Sequence, residues 1–239
     1  MKINLLSTNG TKFSISLKTL ATSLSTALGY KVRRTQVPNP YRDNLKYGQS
    51  VNKLYQYNWF KEQGLSALEF TTDKDQALTW INDGLTVFGR KYLNSSCGKG
   101  IEVFEDGEGW GIPICFSECK VFTKYKKKKR EFRVHVFKDQ VVSVTEKKRK
   151  KGWDNERDTK IRNLANGYVF CQQVSDEPEG LRQLALSAAM VSPSDFRGVD
   201  IGYNEKSNDL FVIEVNSAPG IQGSNLDKYT QTIINYVHN

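Results

Sequence analysis

The sequence predicts an α+β protein, because helical and strand patterns both recur along the chain. Leucines recur at helical spacing near the start, at Leu17, Leu20, Leu24 and Leu28. Two pairs of alternating segments, residues 131–137 with 141–146 and 199–202 with 210–216, are each joined by a short polar turn, which is typical of hairpins. With 239 residues, of which 38% are hydrophobic, the chain can bury one or two cores.

The positive charge of the chain is concentrated in two short runs. These are Lys126, Lys127, Lys128, Lys129 and Arg130, and Lys147, Lys148, Arg149, Lys150 and Lys151. The net charge is +9, and without those ten residues it is −1. The basicity is therefore a local feature and not a general property of the protein.

Composition also predicts the compartment. The sequence has no apolar run of about 18 residues and no signal-peptide pattern at its start, which indicates a cytoplasmic protein. The four cysteines form no C-x-x-C pair, and the chain has only two histidines. This pattern argues against structural zinc and favours free thiols in a reducing compartment.

The first 84 residues are interpreted as scaffold. Residues 1–49 look like a small, irregular unit with one helix ending near Gly29, and residues 36–48, with Pro38 and Pro40, are typical of a loop. A second helix is predicted over residues 51–63, with these side chains inward: Val51, Leu54, Tyr55 and Phe60. Thr72 followed by Asp75 resembles a capping box that opens a third helix, which runs to Gly84.

Residues 85–104 indicate two strands joined by a loop of small residues. The first strand ends with Arg90 and Lys91, and the loop contains Ser95, Ser96, Gly98, Lys99 and Gly100. Backbone N–H groups in such a loop can approach an anion closely, while the cation at the strand end supplies charge. The segment is therefore a phosphate-loop candidate, although taken alone a tight turn between two strands is also consistent with it.

The two basic runs lie at the two ends of the hairpin predicted over residues 131–146. A hairpin brings its ends together, so the runs should lie side by side, although each lysine taken alone is typical of a solvated surface charge. Arg133 is predicted on the face opposite Phe132, Val134 and Val136. His135 shares the Arg133 face, and a lone strand histidine is more typical of packing than of catalysis. Amphipathic helices are predicted over residues 178–190 and 226–237.

The last predicted hairpin, within residues 195–220, carries an unusual polar face. In its second arm Phe211, Ile213 and Val215 are expected on one side and Glu214 and Asn216 on the other. The turn places Asp200 roughly opposite Glu214. Two carboxylates that close together repel each other unless a cation lies between them, and carboxylate with amide oxygens suits Mg²⁺ and its phosphate ligands. The alternative to a magnesium site is a surface hairpin whose polar face is simply solvated.

Six motifs in this order resemble the ATP-grasp superfamily. They are Arg90 with SSCGKGI at 95–101, FTKY at 122–125, EFRVHVF at 131–137, RN with NG at 162–163 and 166–167, GVD at 198–200, and EVNSAPG at 214–220. The resemblance runs from about Val51 to the end and is closest to small carboxylate–amine ligase-like members found in tailed phages. It implies two α+β subdomains that clamp a nucleotide, at 50–122 and 123–239, after a reduced N-terminal unit at 1–49.

The resemblance also implies residue roles. Asp200, Glu214 and Asn216 would hold Mg²⁺, and residues 95–100 would fold over the phosphates of ATP. The strand cation before that loop would be Arg90 or Lys91. The hinge that meets adenine would be Phe122, Thr123, Lys124 and Tyr125. Phosphate or an acyl-phosphate would be reached by Arg133, Arg162 and Asn163.

The function implied is an ATP- and Mg²⁺-dependent ligase that joins a carboxylate to an amine through an acyl-phosphate and releases ADP and phosphate. The two basic runs would attract an acidic peptide or nucleic-acid acceptor. The location would be the cytoplasm, which is the host cytoplasm for a phage protein. The alternative is a nucleotide- or nucleic-acid-binding module of the same fold without ligase activity, because fold alone does not confer a reaction.

Overall fold

The protein is represented by a computed structural model that describes residues 1–8, 11, 14–94, 99–105, 114–153 and 160–239. Within these residues the α+β class is confirmed. The first part contains β1 (Ile3–Ser7), α1 (Ile15–Leu28), β2 (Arg33–Thr35), β3 (Asp43–Tyr47), α2 (Lys53–Glu62), β4 (Phe70–Thr71), α3 (Lys74–Asn82), β5 (Val87–Arg90), β6 (Ile101–Phe104) and α4 (Ile114–Glu118). The second contains β7 (Val121–Lys124), β8 (Arg130–Phe137), β9 (Gln140–Arg149), a 3-10 turn (Leu164–Asn166), β10 (Tyr168–Cys171), α5 (Leu181–Ala189), β11 (Phe196–Asn204), β12 (Asp209–Asn216) and α6 (Ser224–His238).

The first 49 residues are more regular than predicted. They form a parallel three-stranded sheet in the order β2-β1-β3, and β3 lies inside the segment interpreted as a loop. That interpretation was wrong because β3 contains mainly polar residues, with only Leu45 and Tyr47 buried, so pairing with β1 and not local pattern makes it a strand. Pro38 and Pro40 lie outside the strand, where their missing N–H groups cost no ladder bond.

The helices α1 and α3 differ little from prediction. Helix α1 ends at Gly29, whose φ of 68° is the left-handed conformation that glycine tolerates. Helix α3 is capped by Asp73, whose carboxylate accepts from the backbone N–H groups of Asp75 and Gln76. The predicted cap, Thr72, was therefore one residue early. Both caps satisfy backbone groups that the helix itself leaves unpaired.

The buried face of helix α2 agrees with the prediction only in part. Phe60 is fully buried, and Val51 and Leu54 pack partly buried against the core as predicted, but Tyr55 was expected inward and is 51% exposed. The buried residues recur at helical spacing and include two polar ones: Lys53, Gln56, Tyr57 and Phe60. The polar members find partners below the helix, since Gln56 bonds both the N–H and the C=O of Val215. An apolar pattern alone cannot reveal a face of this composition.

Two antiparallel sheets form the rest of the fold. The smaller has the order β4-β7-β5-β6 and packs on α3 and α4 around Trp80, Phe104, Phe116 and Phe122. The larger has the order β10-β9-β8-β11-β12. Its β8–β9 and β11–β12 pairs are the two predicted hairpins. One of its faces packs on α2 and α5.

A bulge in β12 changes the predicted face of that strand. Asp200 pairs with Glu214 as expected, but Ile201 pairs with Val212, so Ile213 is an extra residue. The expectation that Phe211, Ile213 and Val215 share a face was therefore wrong. Val212 and Val215 join the core, whereas Phe211 and Ile213 line a cavity together with Glu214 and Asn216.

The first sheet is joined to the end of the chain. One apolar cluster contains residues of β1, α1, β3, β8, β11 and α6, and it extends from Ile3 to Val237. The backbone N–H of Gly48 also donates to the C=O of Ser217 at 2.9 Å. The proposed boundaries at 49/50 and 122/123 stay a prediction. Among the described helices, none is both long and apolar enough to cross a bilayer.

Candidate active site

A cavity of about 920 Å³ is walled by residues of both antiparallel sheets. Among the described residues that line it, three are acidic: Glu131, Asp200 and Glu214. Eight are cationic: Arg90, Lys124, Lys126, Lys128, Arg133, Lys147, Lys160 and Arg162. A wall with this excess of positive charge suits a polyanion.

Apolar side chains form part of the same wall. They are Leu68, Phe88, Ile101, Tyr125, Val169, Phe170, Phe211 and Ile213. The rings of Phe88 and Tyr125 lie 5.4 Å apart between centroids and at 35° to each other. The cavity therefore offers both an apolar surface for a planar group and concentrated charge for an anion, which is typical of ligand sites.

Asp200 lies at the centre of the charged wall. Strand pairing places it opposite both Glu214 and Arg133. Arg133 donates to both carboxylate oxygens, from Nε at 2.7 Å and from Nη2 at 2.8 Å, and Lys147 Nζ lies 3.0 Å from Oδ2. Burial acts to raise the pKa of Asp200, but the charges of Arg133 and Lys147 outweigh it and hold the pKa below its ordinary value.

Glu214 has a cationic partner that the sequence did not indicate. Lys53, the first residue of α2, places Nζ 2.8 Å from Glu214 Oε2, and Asn216 Nδ2 donates to Oε1 at 3.0 Å. Burial acts to raise the pKa of Glu214, but Lys53 and then Arg90 outweigh it and hold the pKa well below its usual range. No local pattern marked Lys53, because the buried face of α2 is half polar.

The two candidate strand cations point in different directions. Arg90 lines the cavity, is 6% exposed and has a buried Nε with no hydrogen-bond partner among the described residues. Burial acts to lower the pKa of Arg90, but Tyr57 and Glu214 raise it overall. Lys91 instead pairs with Glu118 at 2.8 Å and Glu102 at 3.1 Å, which raise its pKa. Only Arg90 of the two faces the cavity.

The glycine loop is described only at its end. Ser95, Ser96 and Gly98 lie outside the described residues. Lys99 is exposed, and Gly100 has a φ of 73° with the ring of Tyr92 packed against it, where any side chain would collide. The backbone N–H of Lys91 donates to Gly100 C=O and so closes the end of the hairpin. The phosphate role of the loop stays a prediction.

The predicted hinge is split between the core and the cavity. Phe122 is fully buried in the apolar cluster of the smaller sheet, and Thr123 is 1% exposed. Lys124 and Tyr125 line the cavity. Lys124 also pairs with Glu69 at 2.8 Å. Two of the four residues of this segment therefore reach the cavity wall, and its nucleotide contact stays a prediction.

Arg162 and Asn163 both line the cavity, as the motif order implied. Arg162 Nη2 donates to the C=O groups of Lys128 and Lys129 at 3.0 and 3.1 Å, which fixes the guanidinium against the first basic run. Asn163 Oδ1 accepts from the backbone N–H of Asn166 at 2.9 Å. Their catalytic roles stay a prediction.

The two basic runs are less solvated than their sequence suggests. The side chains of Lys128 and Lys147 are only 7% and 10% exposed, and their Nζ atoms lie 3.6 Å and 2.5 Å from the carboxylate of Glu131. At least six of the ten residues pair with acids: Lys126, Lys128, Lys129, Arg130, Lys147 and Lys148. Solvated charge is therefore the wrong description of Lys128 and Lys147, because the hairpin ends fold into the cavity wall.

His135 packs away from the cavity. It is 3% exposed, and its Nδ1 and Nε2 lie 3.3 Å from Tyr229 Oη and 3.4 Å from Asn225 Nδ2. Burial, helped by the charge of Arg133, lowers its pKa to about 3. The structure therefore supports the packing interpretation of this histidine.

The donor set at the hairpin fits a hard cation. Asp200, Glu214 and Asn216 all line the cavity and offer carboxylate and amide oxygens. Within the described ranges no group of three or more His, Cys, Asp and Glu residues is placed to hold a metal. A divalent ion here would therefore also use an amide oxygen and oxygens of its ligand, as Mg²⁺ commonly does with phosphates.

The architecture matches the ATP-grasp fold. Residues 119–237, just under half of the chain, match the profile of the RimK-like ATP-grasp domain. The ATP-grasp ligase PsnB in complex with a minimal precursor aligns with a TM-score of 0.69 at 12% identity, over 98% of this chain and 99% of that chain. The fold implied by the sequence motifs is therefore confirmed.

Two further solved structures agree. D-alanine–D-alanine ligase from Bacillus anthracis gives a TM-score of 0.62 at 11% identity, over 98% of this chain and 92% of that chain. A RimK domain ATP-grasp protein from Sphaerobacter thermophilus gives 0.62 at 10% identity, over 99% of both chains. No curated protein sequence matches the chain. At such identities the likeness establishes the fold alone, and the phage-type subgroup stays a prediction.

Proposed function

We propose that this ATP-grasp protein is an ATP- and Mg²⁺-dependent ligase that joins a carboxylate to an amine and releases ADP and phosphate. One observation carries the proposal. A single cavity combines eight cationic side chains with the oxygen donors of Asp200, Glu214 and Asn216. Phosphoryl transfer needs this combination, because its catalysis consists mainly of positioning and charge neutralisation.

The nucleotide would lie between the two antiparallel sheets. Phe88 and Tyr125 offer an apolar surface for the base, beside the hinge segment that ends β7. Arg90 has a buried Nε that finds no acceptor among the described residues, and its guanidinium faces the cavity. An arginine can bind two phosphate oxygens at once, so Arg90 is assigned to the phosphates.

The metal would be held by Asp200, Glu214 and Asn216, and when bound it would neutralise charge on the phosphates. Arg133 lies against Asp200 and is assigned to the transferred phosphoryl group. Burial acts to lower the pKa of Arg133, but Asp200 raises it overall, so the guanidinium stays charged throughout turnover. Arg162 and Asn163 lie along the same wall and are assigned to positioning the acyl-phosphate.

The proposed reaction has two balanced steps. A carboxylate oxygen of the first substrate attacks the γ-phosphorus of ATP, which forms an acyl-phosphate and breaks the bond to ADP. The amine of the second substrate then attacks the acyl carbon, so that an amide forms, phosphate leaves and the amine loses a proton. Arg133 would stabilise the phosphate in both steps.

An acidic peptide is the acceptor class that we favour. PsnB is an ATP-grasp ligase complexed with a precursor peptide, and it shares the fold of this chain. The exposed residues of the two basic runs include Lys127, Lys150 and Lys151. Exposed cations near the cavity can steer an acidic substrate toward it. We propose a cytoplasmic location, in line with the composition.

The alternative is a binding module that keeps the fold without the reaction. A nucleic-acid-binding module would need the basic runs to meet phosphates, yet at least six of the ten residues pair with acids of the chain itself. This pairing disfavours nucleic acid as the main ligand. A turnover assay distinguishes a module that only binds nucleotide from a ligase.

Nucleotide turnover tests the proposal. The protein would be incubated with ATP and Mg²⁺, with and without pooled amino acids and acidic peptides, while ADP is resolved from AMP. We expect pool-dependent ADP and phosphate from the wild type. In Glu214→Gln the rate should fall at least about 100-fold, because one charge is lost where the phosphates are neutralised.

The matched control is Glu205→Gln, which changes the same residue type in the turn of the same hairpin. Glu205 pairs with Lys129 at the surface and does not line the cavity, so its rate should match the wild type. If nucleotide binds but no pool yields ADP, the ligase assignment is wrong and the binding module replaces it.

A further inference from the structure

Each oxygen of the two carboxylates at the predicted metal site has a protein donor within 3.0 Å. Both oxygens of Asp200 accept from Arg133, at 2.7 and 2.8 Å, and Oδ2 also lies 3.0 Å from Lys147. Glu214 accepts from Lys53 at 2.8 Å through Oε2 and from Asn216 at 3.0 Å through Oε1. Three protein cations therefore contact three of the four oxygens and an amide contacts the fourth, so a divalent ion that approached either carboxylate would lie close to those cations.

The three cations differ in freedom to move. Arg133 holds Asp200 through two parallel bonds, and its guanidinium lies 4.5 Å from the ring centroid of Phe170, which fixes it in place. Lys147 and Lys53 instead end in compact ammonium groups on flexible stems. Lys147 also has a second anion at hand, since its Nζ lies 2.5 Å from Glu131 Oε1. The two lysines are therefore the exchangeable cations.

A bare divalent ion gains little at such a site. It would approach two carboxylates that are already neutralised, and it would meet Lys53, Lys147 and Arg133 at contact distance in a buried wall. Like charges repel strongly where water is scarce. A polyphosphate changes this balance, because it brings several negative charges to which the lysines can move. The lone pairs of Glu214 and Asp200 that the lysines occupied are then left for the metal.

We infer that Lys53 prevents free divalent ions from binding Glu214 and that Lys147 does the same for Asp200. Both lysines release these carboxylates only when a polyphosphate is present. The inference rests on the magnesium–nucleotide site proposed above. Lys53 and Lys147 thereby determine specificity, since they make metal and nucleotide bind as one ligand. By linkage, the metal must strengthen nucleotide binding by the same factor by which nucleotide strengthens metal binding.

Binding of Mn²⁺ without nucleotide tests the inference, with the electron paramagnetic resonance signal of free Mn²⁺ as the readout. The nucleotide-free wild type should bind no Mn²⁺ at its hairpin at millimolar concentration. Lys147→Met should bind Mn²⁺ at least about tenfold more tightly, because Asp200 keeps Arg133 but loses the ammonium group. Lys53→Met should gain similarly through Glu214. Lys61→Met, an exposed lysine of the same helix, should stay at the wild-type value.

The variants are designed so that each result decides the question. Adding Asp200→Asn to Lys147→Met should abolish the gain, which assigns the bound ion to this site. Equal Mn²⁺ binding by the wild type and both lysine variants overturns the inference. Circular dichroism confirms folding, and the two lysines serve different carboxylates, so misfolding of one variant leaves the other informative. No step needs turnover, so an inactive protein can still show the gain, and an active ligase can fail to show it.

Discussion

One face of strand β8 is divided between two environments. Glu131 and Arg133 line the cavity, whereas His135 and Phe137, the next two residues on the same face, lie beneath α6. Arg133 faces Asp200 across the β8–β11 ladder, and His135 faces Gly198. The strand therefore presents the same geometry to an open, charged space at one end and to a closed, apolar one at the other.

The difference shows what decides the charge of a buried group. Burial acts to lower the pKa of both Arg133 and His135. For Arg133, whose guanidinium is charged in any case, the Asp200 carboxylate 2.7 Å away outweighs burial and raises the pKa further. His135 meets a phenol and an amide instead of a carboxylate, so burial is not offset and its pKa falls to about 3. The same burial therefore leaves a charged group at one end of the face and a neutral one at the other.

The largest effect on stability should come from creating a void at the end of β8 that lies beneath α6. Phe137 is 1% exposed and packs against Phe196 and Tyr236. Phe137→Ala should lower the free energy of unfolding by about 3–5 kcal/mol, because it removes apolar contacts and leaves a void. Urea denaturation followed by circular dichroism measures the change. A loss below about 1 kcal/mol would show that this end of the sheet is not a packed core.

A substitution at the end of β8 that lines the cavity should affect turnover more than stability. Arg133→Met should reduce ligase turnover about 100- to 1,000-fold, because a phosphate donor is lost from a preorganised site. Lys147 remains beside Asp200, so the carboxylate keeps a partner. His135→Gln is the matched control on the same face and should keep the wild-type rate per folded molecule. Equal losses in both variants would contradict the division of the face.

The pH dependence of stability sharpens the comparison further. In the unfolded chain His135 should titrate near its ordinary value of 6.5, whereas in the folded chain its pKa is about 3. The unfolded state then binds the proton first, so stability is lost as the pH falls from about 6.5 toward 3. The loss from this group should approach about 1.4 kcal/mol per pH unit.

Unfolding by urea at several pH values between about 6 and 4 measures this slope. The wild type should lose stability more steeply than His135→Gln, because the variant has no proton to bind at this position. Parallel curves for the two proteins would mean that His135 binds a proton as readily in the folded chain as in the unfolded chain. Both proteins share the other titrating groups, so the difference between the curves isolates the histidine.

Local patterns predicted the hairpins well and the tertiary contacts poorly. The turn at residues 204–208 was sufficient to place Asp200 opposite Glu214, because a hairpin fixes its own register. The bulge at Ile213 could not be predicted from the sequence, since the strand contains neither a glycine nor a proline to indicate an irregularity there. Strand β3 was missed because its partner, β1, lies 40 residues earlier in register. Contacts of that separation leave little trace in a local window.

The site shows the same limit. The motif order identified the cavity residues Arg133, Arg162 and Asn163. It left Arg90 and Lys91 as alternatives, which the structure distinguishes because only Arg90 lines the cavity and Lys91 pairs with Glu118. Lys53 was missed because it reaches Glu214 from a helix whose buried face is half polar. Glu131, whose carboxylate pairs with Lys128 and Lys147, was likewise identified only in the structure, because the pairing of β8 with β9 brings it beside Lys147.

The apolar cluster that extends from Ile3 to Val237 has a consequence for synthesis. On the ribosome, β1 and α1 are made long before α6, so they can pack on each other and on β3 but lack the rest of their core while most of the chain is still being translated. Such non-local cores form late and leave apolar surface exposed to chaperones. We therefore expect residues of β1 and α1 to reach their native packing only after α6 emerges.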